Sequence, residues 1–346
     1  MFLNGHEMLV SGLILAVSYI IIAFEIVPKM TAALFGAALT LVLGLISQDK
    51  VFGYIDFKVI FLLISMMVIV NIANRSGVFN WLAMELLKRI DGRPFMALFI
   101  LATFTAVSSA FLDNMTAVIL VMPITFIVAR EFMIDPIPFF ITEIIASNIG
   151  GTATLIGDPP NIIIGSRAGL SFMDFVRELT PIVIVIYLVS IAILLFMFRK
   201  KLDVSSKLVD HIKDLDNSNA ITDKNLMIRS IVVLLLVIAG FVFHGALHTE
   251  AYVVALTGAS FLLLFESSKQ ALHDVEWVTI SFFVGLFIII GGFEASGGIH
   301  LLAQKLVDIT HGSTISASMV ILWISGEFSA KIEKKPYIKN LNSKYT

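Results

Sequence analysis

Two polar stretches interrupt an otherwise apolar sequence, and their residue types suit the binding of a small ion. The first runs from Ser108 to Thr116 and reads SSAFLDNMT. Asp113 stands inside a long apolar stretch, and an ionisable group within a membrane segment indicates a functional site because burying it in lipid is costly. Asn114, Thr116 and the carbonyl oxygens of an unwound turn could coordinate a dehydrated cation, and Asp113 could carry or neutralise its charge. The alternative is a short exposed loop between two ordinary spans, with Asp113 in water.

The second stretch, residues 148–161, reads NIGGTATLIGDPPN and is rich in residues that end helices. Its glycines permit backbone geometry closed to other residues, and its paired prolines prevent the preceding helix from continuing. The glycines are Gly150, Gly151 and Gly157, and the paired prolines are Pro159 and Pro160. Irregular backbone exists at membrane depth only where protein buries it or where it lines a wet cavity. The alternative, a loop outside the membrane, has no need of so much glycine and proline.

A helix is expected to start after Asp158, with proline in its first turn. Its positive N-terminal end would then point into the predicted cavity. Backbone N–H groups at this end, together with the hydroxyls of Thr152 and Thr154, would hold an anionic substrate or oxyanion. The sequence therefore predicts a site for an ion and a substrate at two interrupted helices.

Four further residues are weaker candidates. Glu25, near the end of the first apolar run, is expected to be an interfacial anchor. Glu143 lies in a short apolar segment and is either a second proton carrier or part of a solvated helix edge. His244 and His248 are spaced i, i+4 but lack a third ligand, so we interpret them as interfacial rather than metal-binding. No metal or organic cofactor is expected, and the expected coupling ion is sodium or a proton.

The composition requires lipid as the solvent for most of the surface. Hydrophobic residues make up 58% of the 346 residues, charged residues make up 14%, and the mean hydropathy is +0.95. A soluble domain carries roughly 25% charged residues. The net charge of −2 gives no indication of nucleic-acid binding, and the absence of cysteine excludes disulfides, thiolate metal sites and cysteine nucleophiles. Since no nucleophile–base pairing or metal-ligand cluster is apparent, we expect no enzymatic activity.

We predict an all-α polytopic integral membrane protein of about ten hydrophobic helices, with broken helices or re-entrant hairpins and two related repeats. The candidate spans are Leu9–Val27, Met30–Ile46, Phe57–Ala73, Phe95–Leu112, Ala117–Ala129, Ile137–Ile149, Pro181–Phe198, Leu226–Phe243, Ala251–Phe265, Trp277–Phe293 and Ile315–Phe328. The first is expected to be a retained transmembrane helix rather than a signal peptide. Two amphipathic stretches, Val78–Ile90 and Ile299–Ile309, are expected to lie in the membrane interface.

A polar segment, Arg199–Arg229, divides the chain. It carries seven Lys or Arg and five Asp residues, and this basic excess predicts a cytoplasmic location. We expect a first transporter repeat at residues 1–198, a linker at 199–229 and an incomplete second repeat at 230–346. A shift of 220 places residues 56–116 on 276–336 without a gap, with the same order of span, amphipathic helix and span. Internal repeats around a central loop are typical of secondary transporters.

In its two polar motifs the chain resembles the ion transporter superfamily. The similar branch contains arsenite permeases, P proteins and sodium/proton antiporters, and is related to citrate and dicarboxylate transporters. The resemblance rests on Phe111–Thr116 (FLDNMT) and on Gly150–Asn161 (GGTATLIGDPPN), and the order of hydrophobic segments agrees over nearly the whole chain. It implies an ion-coupled secondary transporter in which each repeat contributes one hairpin and one broken helix.

The resemblance also implies roles for individual residues. It assigns the cation or proton site to Asp113, Asn114, Thr116, Gly150 and Thr152. It assigns the substrate site to Gly151, Thr154, Asp158 and Asn161. Dicarboxylate carriers commonly have Ser-Asn-Thr at the hairpin tip, whereas here an Asp precedes the Asn, which favours the branch that uses protons or exchanges sodium for protons.

The second repeat departs from the family pattern. Positions 113 and 114 map onto Glu333 and Lys334, and the second broken-helix loop would map beyond residue 346. We therefore expect a truncated second repeat without its half-site. Three explanations stay open: a truncated protein, a damaged reading frame, or another component that supplies the missing half.

The expected function is secondary active transport of a small anion or oxyanion, arsenite- or carboxylate-like, coupled to proton or sodium movement. The alternatives are a sodium/proton antiporter without an organic substrate and a truncated, non-transporting membrane protein. The expected location is the plasma membrane, in multi-pass form. The expected partners are the lipid bilayer and a small inorganic or carboxylate anion, without nucleic acid, and the chain is expected as a monomer or a homodimer.

Overall fold

The computed structural model describes residues 5–88, 93–112, 114–202, 221–247 and 249–332. Side chains are described throughout these ranges except at 83, 86–88, 131, 244–247, 268 and 327–332. Asp113, His248, Glu333 and Lys334 lie outside the described residues, and so does the side chain of His244. Within the described ranges the chain forms helices, turns and loops and contains no strand, which confirms the all-helical prediction.

The helices follow one another with short connections. In chain order they are α1 (Glu7–Ala23), α2 (Lys29–Val42), α3 (Val51–Tyr54), α4 (Phe57–Arg75), α5 (Val78–Lys88), α6 (Pro94–Ser109), α7 (Asn114–Glu131), α8 (Ile137–Gly151), α9 (Pro159–Ala168), α10 (Phe172–Glu178), α11 (Thr180–Phe198), α12 (Lys224–Leu247), α13 (Ala251–Leu263), α14 (Ser268–His273), α15 (Trp277–Ala295), α16 (Gly298–Ile309) and α17 (Thr314–Ile332).

Four helices in the described part of the chain are long and apolar enough to cross a bilayer. They are α4, α11, residues 224–243 of α12, and α15. A fifth span results if α16 and residues 314–326 of α17, which are bent by 119° relative to each other, count as one. Six further apolar helices, α1, α2, α6, α7, α8 and α13, are shorter. The count of about ten helices and the two related repeats stay predictions.

Lipid is a suitable solvent for the outward faces of these helices. On α11, the side chain of Val185 is 61% exposed and that of Phe196 is 65% exposed. Exposed apolar side chains on this scale mark a membrane-facing or interaction surface. The helix therefore has the surface that a bilayer requires.

The first two helices are shorter than the sequence predicted. They end at Ala23 and Val42, four residues before the predicted ends at Val27 and Ile46. After α1 the chain turns at Glu25, which is exposed and has φ of +50°, and after α2 it turns at Gly44 with φ of +70°. Such left-handed residues commonly end helices, so local backbone geometry overrides the apolar run. The interfacial role of Glu25 stays a prediction.

The chain divides into two compact units by its contacts, and the first comprises Met1–Asp56 and Glu276–Thr346. Within it, α2 packs along α15 through small residues. A Cβ on Gly285 would lie 2.7 Å from the carbonyl carbon of Ala33, and one on Gly36 would lie 2.7 Å from Ile289. Close approach through small residues is a usual way for helices to associate in lipid.

The second unit comprises Phe57–Val275 and contains both predicted motifs. Helices α6, α7, α8 and α11 pack around one hydrophobic core, in which Leu98, Leu101, Val121 and Phe139 are completely buried. This core fixes the positions of the helix ends that carry the motifs. Helix α5, which lies against α7, and helix α16 of the first unit confirm that both predicted amphipathic stretches are helical.

Candidate functional site

The first interruption separates α6 from α7. Helix α6 ends at Ser109, α7 begins at Asn114, and the described residues between them, 110–112, form a turn. The N–H groups of Phe111 and Leu112 donate to the carbonyl of Ser108 at 3.0 and 2.9 Å. Since α6 and α7 also pack against each other, the two helices form a hairpin with this turn as its tip.

Helix α7 is longer than the predicted span Ala117–Ala129. It runs from Asn114 to Glu131 and includes Pro123 in its interior. Proline lacks an N–H donor and usually interrupts a helix, but packing against neighbouring helices compensates for it in membrane proteins. The predicted bounds of this segment are therefore too narrow, and a re-entrant hairpin in the membrane stays a prediction.

The second interruption separates α8 from α9. Helix α8 ends at Gly151, residues 152–158 are non-helical, and α9 begins at Pro159 with Asp158 as its N-cap. A backbone N–H at the first helical position has no partner within the helix, so proline, which lacks this group, begins the helix without losing a hydrogen bond. The predicted helix start after Asp158 is confirmed.

Hydrogen bonds within the loop 152–158 hold it in one conformation. The N–H of Gly157 donates to the hydroxyl of Thr154 at 3.1 Å. The side-chain amide of Asn161 donates to the carbonyls of Gly151 at 3.2 Å and Thr154 at 2.9 Å. Residues 153–157 are buried, so this loop lies within the protein rather than at an aqueous surface. The depth of this loop in the membrane stays a prediction.

The hairpin tip and the loop 152–158 contact each other. The hydroxyl of Thr154 donates to the carbonyl of Ala110. Gly157 lies so close to the tip that a Cβ on it would be 2.7 Å from the carbonyl oxygen of Ser109. Two places where the helical hydrogen bonding is broken therefore meet, and carbonyl oxygens concentrate there.

Asn114 occupies the centre of this contact. Its Oδ1 accepts a hydrogen bond from the hydroxyl of Ser109 at 2.5 Å, and its Nδ2 donates to Oδ1 of Asn148 at 3.1 Å. A Cβ on Gly151 would overlap Oδ1 of Asn114, so only glycine admits the amide at this distance. Amide and carbonyl oxygens are suitable ligands for a hard cation.

Four of the sequence-predicted site residues come together here, namely Asn114, Gly151, Thr154 and Asn161. Thr116 lies partly buried in the first turn of α7, and Asp158 is partly buried at the N-cap of α9. Their contribution as ligands stays a prediction, as does that of Asp113, which lies outside the described residues.

Two other predicted cation ligands have different surroundings. Gly150 faces α6 so closely that a Cβ would overlap the carbonyl of Ala106. Thr152 is exposed, and its hydroxyl donates to the carbonyl of Asn148 at 2.9 Å. The packing of α8 on α6 thus accounts for a glycine at position 150 without an ion.

Sequence reasoning missed some of the polar contacts. Asn148 begins the second motif but had no assigned role, and it binds Asn114. Thr125 gave no signal in the sequence, yet its hydroxyl donates to Oε1 of Glu143 at 2.5 Å. Glu143 is 0% exposed, so the interpretation of this residue as part of a solvated helix edge is wrong.

Within the ranges that the structure describes, no three His, Asp or Glu side chains gather as metal ligands. The polar groups at the two interruptions are carbonyls, amides and hydroxyls, which suit hydrated ions such as sodium and small oxygen-rich anions.

A hairpin and a broken helix that meet inside an apolar helical protein are typical of membrane transport proteins. Comparison with known families agrees: the family described as Citrate transporter matches residues 19–340, and the chain belongs to this family. It is therefore a membrane transporter by family, and this family is not enzymatic.

Individual relatives support the same conclusion. A 46 kDa membrane protein of Mycobacterium leprae is 41% identical over 331 residues, covering 94% of this chain and 77% of the relative. An uncharacterized transporter of Mycobacterium tuberculosis is 39% identical over 334 residues, with 95% and 78% covered. The P protein of Mus musculus is 28% identical over 411 residues, with 94% and 49% covered. The resemblance drawn from the two motifs is confirmed.

Proposed function

We propose that the protein is a secondary active transporter that couples proton or sodium movement to the transport of a small anion, either a carboxylate or an oxyanion such as arsenite. The observation that carries this proposal is the contact between the hairpin tip and the loop 152–158. It gathers freed carbonyl oxygens, three asparagine amides and a threonine hydroxyl in a place that is at least partly buried. The family supports transport, and its description supports a carboxylate substrate.

The cation would bind at the side of the contact formed by the hairpin tip. Asn114 and Asn148 there hydrogen-bond to each other, and the side-chain oxygens of both amides lie at the ends of helices. A cation that enters can replace water with these oxygens and with carbonyls of the tip. Asp113, next to Asn114 in the sequence, would supply the negative charge.

The anion would bind at the start of α9. This helix is ten residues long and begins with two prolines, which have no N–H, and the N–H of Asn161 donates to the carbonyl of Asp158 at 3.0 Å. The positive end of the helix dipole would therefore attract the anion, and side chains would bind it. Asn161 lies in the first turn and donates through its side chain to the carbonyl of Thr154, and Asp158 is the N-cap residue. A carboxylate near Asp158 is repelled unless a cation or proton binds with it. This repulsion gives a physical reason for coupling between the anion and a positive ion.

Sodium/proton antiport is a second candidate function, favoured by one sequence observation. An Asp precedes Asn114 at the hairpin tip, where dicarboxylate carriers commonly have a serine. A carboxylate at this position can exchange a proton for a sodium ion without an organic substrate. In either case the protein would be a multi-pass plasma-membrane protein with two related repeats, with residues 199–229 in the cytoplasm.

Flux measurements in proteoliposomes distinguish the two functions. Purified protein is reconstituted, and uptake of labelled citrate, succinate and arsenite is measured under an imposed sodium or proton gradient. Gradient-dependent uptake of one of these anions supports the proposal. Sodium-driven proton movement without an anion indicates antiport. Absence of both fluxes from vesicles containing folded protein contradicts both functions.

The variant Asp113→Asn tests the ion site within the same assay. Removal of the negative charge should abolish coupled flux while expression and membrane insertion persist. Glu178→Gln is the matched control, because Glu178 is exposed at the end of α10. Coupled flux at the level of the unaltered protein in Asp113→Asn would remove this residue from the mechanism.

A further inference from the structure

The most isolated acidic group in the described part of the chain is Glu143, near the middle of α8. Its side chain is 0% exposed, and its Oε1 accepts the hydroxyl hydrogen of Thr125 at 2.5 Å. Oε2 is buried as well, and among the described residues no donor reaches it. A buried acid with half of its hydrogen-bonding capacity unused is uncommon and calls for an explanation.

The helices around Glu143 provide little compensating charge. Helix α8 packs against α6, α7 and α11. Helix α6 carries no titratable residue, and α11 carries only Tyr187, whose hydroxyl is 2.7 Å from that of Thr103. Helix α7 carries Arg130 and Glu131 at its last turn, and Arg130 is exposed. Within the described residues, Glu143 therefore has one neutral donor and no ion pair.

The chemistry of a carboxyl group in this place favours proton binding. An ionised carboxylate without a cation is costly in an apolar interior. A bound proton removes the charge and turns one oxygen into a donor. One hydroxyl contact can orient the group in either state, because Oε1 remains an acceptor in both. The surroundings thus suit a group that gains and loses a proton rather than one that stays charged.

Glu143 is also connected to the candidate ion site. Among the described residues, hydrogen bonds join α7 and α8 between Asn114 and Asn148 at the hairpin tip and between Thr125 and Glu143. Glu143 precedes Gly150 by seven residues, which is about 10 Å along the helix and close to the same face. A change of charge at Glu143 therefore acts on the interface that aligns the hairpin tip with the end of α8.

We propose that Glu143 binds and releases the coupling proton, and that its protonation state sets the alignment of α7 and α8 at the ion site. This assignment rests on the proposed function, because it names the proton-binding residue of an ion-coupled transporter. It gives Glu143 a role separate from the one proposed for Asp113, because Glu143 lies between α7 and α8, the helices that position the hairpin tip.

Infrared spectroscopy tests the proton site without any substrate. A protonated carboxyl group gives a C=O stretching band that disappears on ionisation, and this band is followed in a pH titration of purified protein in lipid nanodiscs. Glu143→Gln should lose one buried carboxyl band, and the exposed control Glu178→Gln should keep it. A spectrum of Glu143→Gln that retains every band of the unaltered protein would overturn the proposal, whether or not transport is detected.

Transport measurements test the coupling. In the unaltered protein, the transport rate should change by up to about tenfold per pH unit in the pH range where one protonation step limits transport. Glu143→Gln should flatten this dependence to within roughly twofold over the same range, whereas Glu178→Gln should keep it. An unchanged pH profile in Glu143→Gln would contradict the coupling role.

Thr125→Val keeps the test decisive if Glu143→Gln does not fold. Valine removes the hydroxyl but leaves the carboxyl group in place. We expect the infrared midpoint and the pH profile of transport to move together relative to the unaltered protein. A midpoint that stays the same would show that the carboxyl group observed is not Glu143, and would contradict the assignment. Thr257→Ala, an exposed threonine of α13 that bonds within its own helix, is the control.

Discussion

The side chain of Asn114 connects parts of the chain that lie far apart in the sequence. It accepts a hydrogen bond from Ser109 in α6, donates to Asn148 in α8, and lies against Gly151. Asparagine suits this place because its amide is donor and acceptor at once. Aspartate could accept the hydrogen bond from Ser109 but could not donate to Asn148, and leucine could form neither hydrogen bond.

Asn114→Ala should therefore affect both stability and transport. Loss of the amide leaves the buried hydroxyl of Ser109 and the partly buried amide of Asn148 without their partner. We expect the free energy of unfolding to fall by about 1–3 kcal/mol. Ion-driven uptake should fall at least about tenfold, since a difference of 1.4 kcal/mol is a factor of ten. Thermal unfolding in detergent and vesicle uptake measure the two effects. Uptake equal to that of Thr257→Ala would show that Asn114 takes no part.

Helix α8 is the element on which the site depends, because it contacts α6, α7 and α11 and ends at the loop 152–158. Gly150 lets its last turn lie against the backbone of α6 at Ala106, and Gly151 makes room for Asn114. Two adjacent glycines thus serve two neighbouring contacts. The close approach of α6 and α8 brings the two helix interruptions together.

Gly150→Ala should separate these helices. The added methyl group meets backbone atoms of Ala106, which cannot move aside as a flexible side chain would. We expect destabilisation of about 1–3 kcal/mol, as for other overpacked cores. Gly53→Ala in α3 is the matched control, because no atom lies within 4 Å of its added Cβ. If both variants unfold at the same temperature as the unaltered protein, the tight contact between α6 and α8 is refuted.

A polar cluster of hydrogen bonds connects the C-terminal end of α4 with Asp274, the residue that follows α14. Nε of Arg75 donates to Oδ2 of Asp274 at 2.9 Å, and the side chain of Asn71 donates to the carbonyl of Asp274 at 2.7 Å. The hydrogen bond from Arg75 is the main reason that the pKa of the Asp274 carboxyl lies below its ordinary value. This cluster stabilises the connection between two helices of the second unit.

The lowered pKa sets the sign of a pH effect. The folded protein binds the proton of Asp274 less readily than the unfolded chain does, so its stabilising effect is complete above the ordinary aspartate pKa of about 4. The effect is lost as the pH falls through the lowered value. Asp274→Asn should thus lower the unfolding temperature at neutral pH and reduce its loss on acidification. Equal acid sensitivity in both proteins, measured by thermal scans, would contradict this role of Asp274. Because Asp274 is partly exposed, the change should be small.

The whole molecule is built for lipid rather than for water, as the exposed apolar side chains of α11 and the 58% hydrophobic composition show. The most polar part of the sequence, residues 199–229, separates the helices that precede it from those that follow. Its orientation decides on which side of the membrane every other connection lies.

A single introduced cysteine tests this orientation cleanly, because the protein has none of its own. Ser205→Cys should react with a membrane-impermeant maleimide in inside-out vesicles and not in intact cells, since the basic segment is expected in the cytoplasm. A permeant maleimide should label it in both preparations, which controls for reactivity. Labelling of intact cells by the impermeant reagent would place the segment outside.

The sequence by itself determined the helical class and the two interruptions in the second unit. Backbone groups in lipid must form their hydrogen bonds within their own helix, so a long apolar run is expected to be helical. Glycine and proline then end the helix at their own positions. Hence the hairpin tip before Asn114 and the helix start at Pro159 could be predicted from their neighbours in sequence. The family, too, was readable in these same two motifs.

Only the tertiary structure decided which groups meet and which face of each helix is buried. In water an apolar stripe identifies the buried face, but a helix surrounded by lipid is apolar on all sides and its periodicity is lost. For this reason the sequence could not show that Thr154 bonds to Ala110, or that Glu143 faces Thr125 inside the protein rather than a solvated edge. Those contacts depend on how closely neighbouring helices approach, and the fit of glycine against backbone at Ala106 sets that distance.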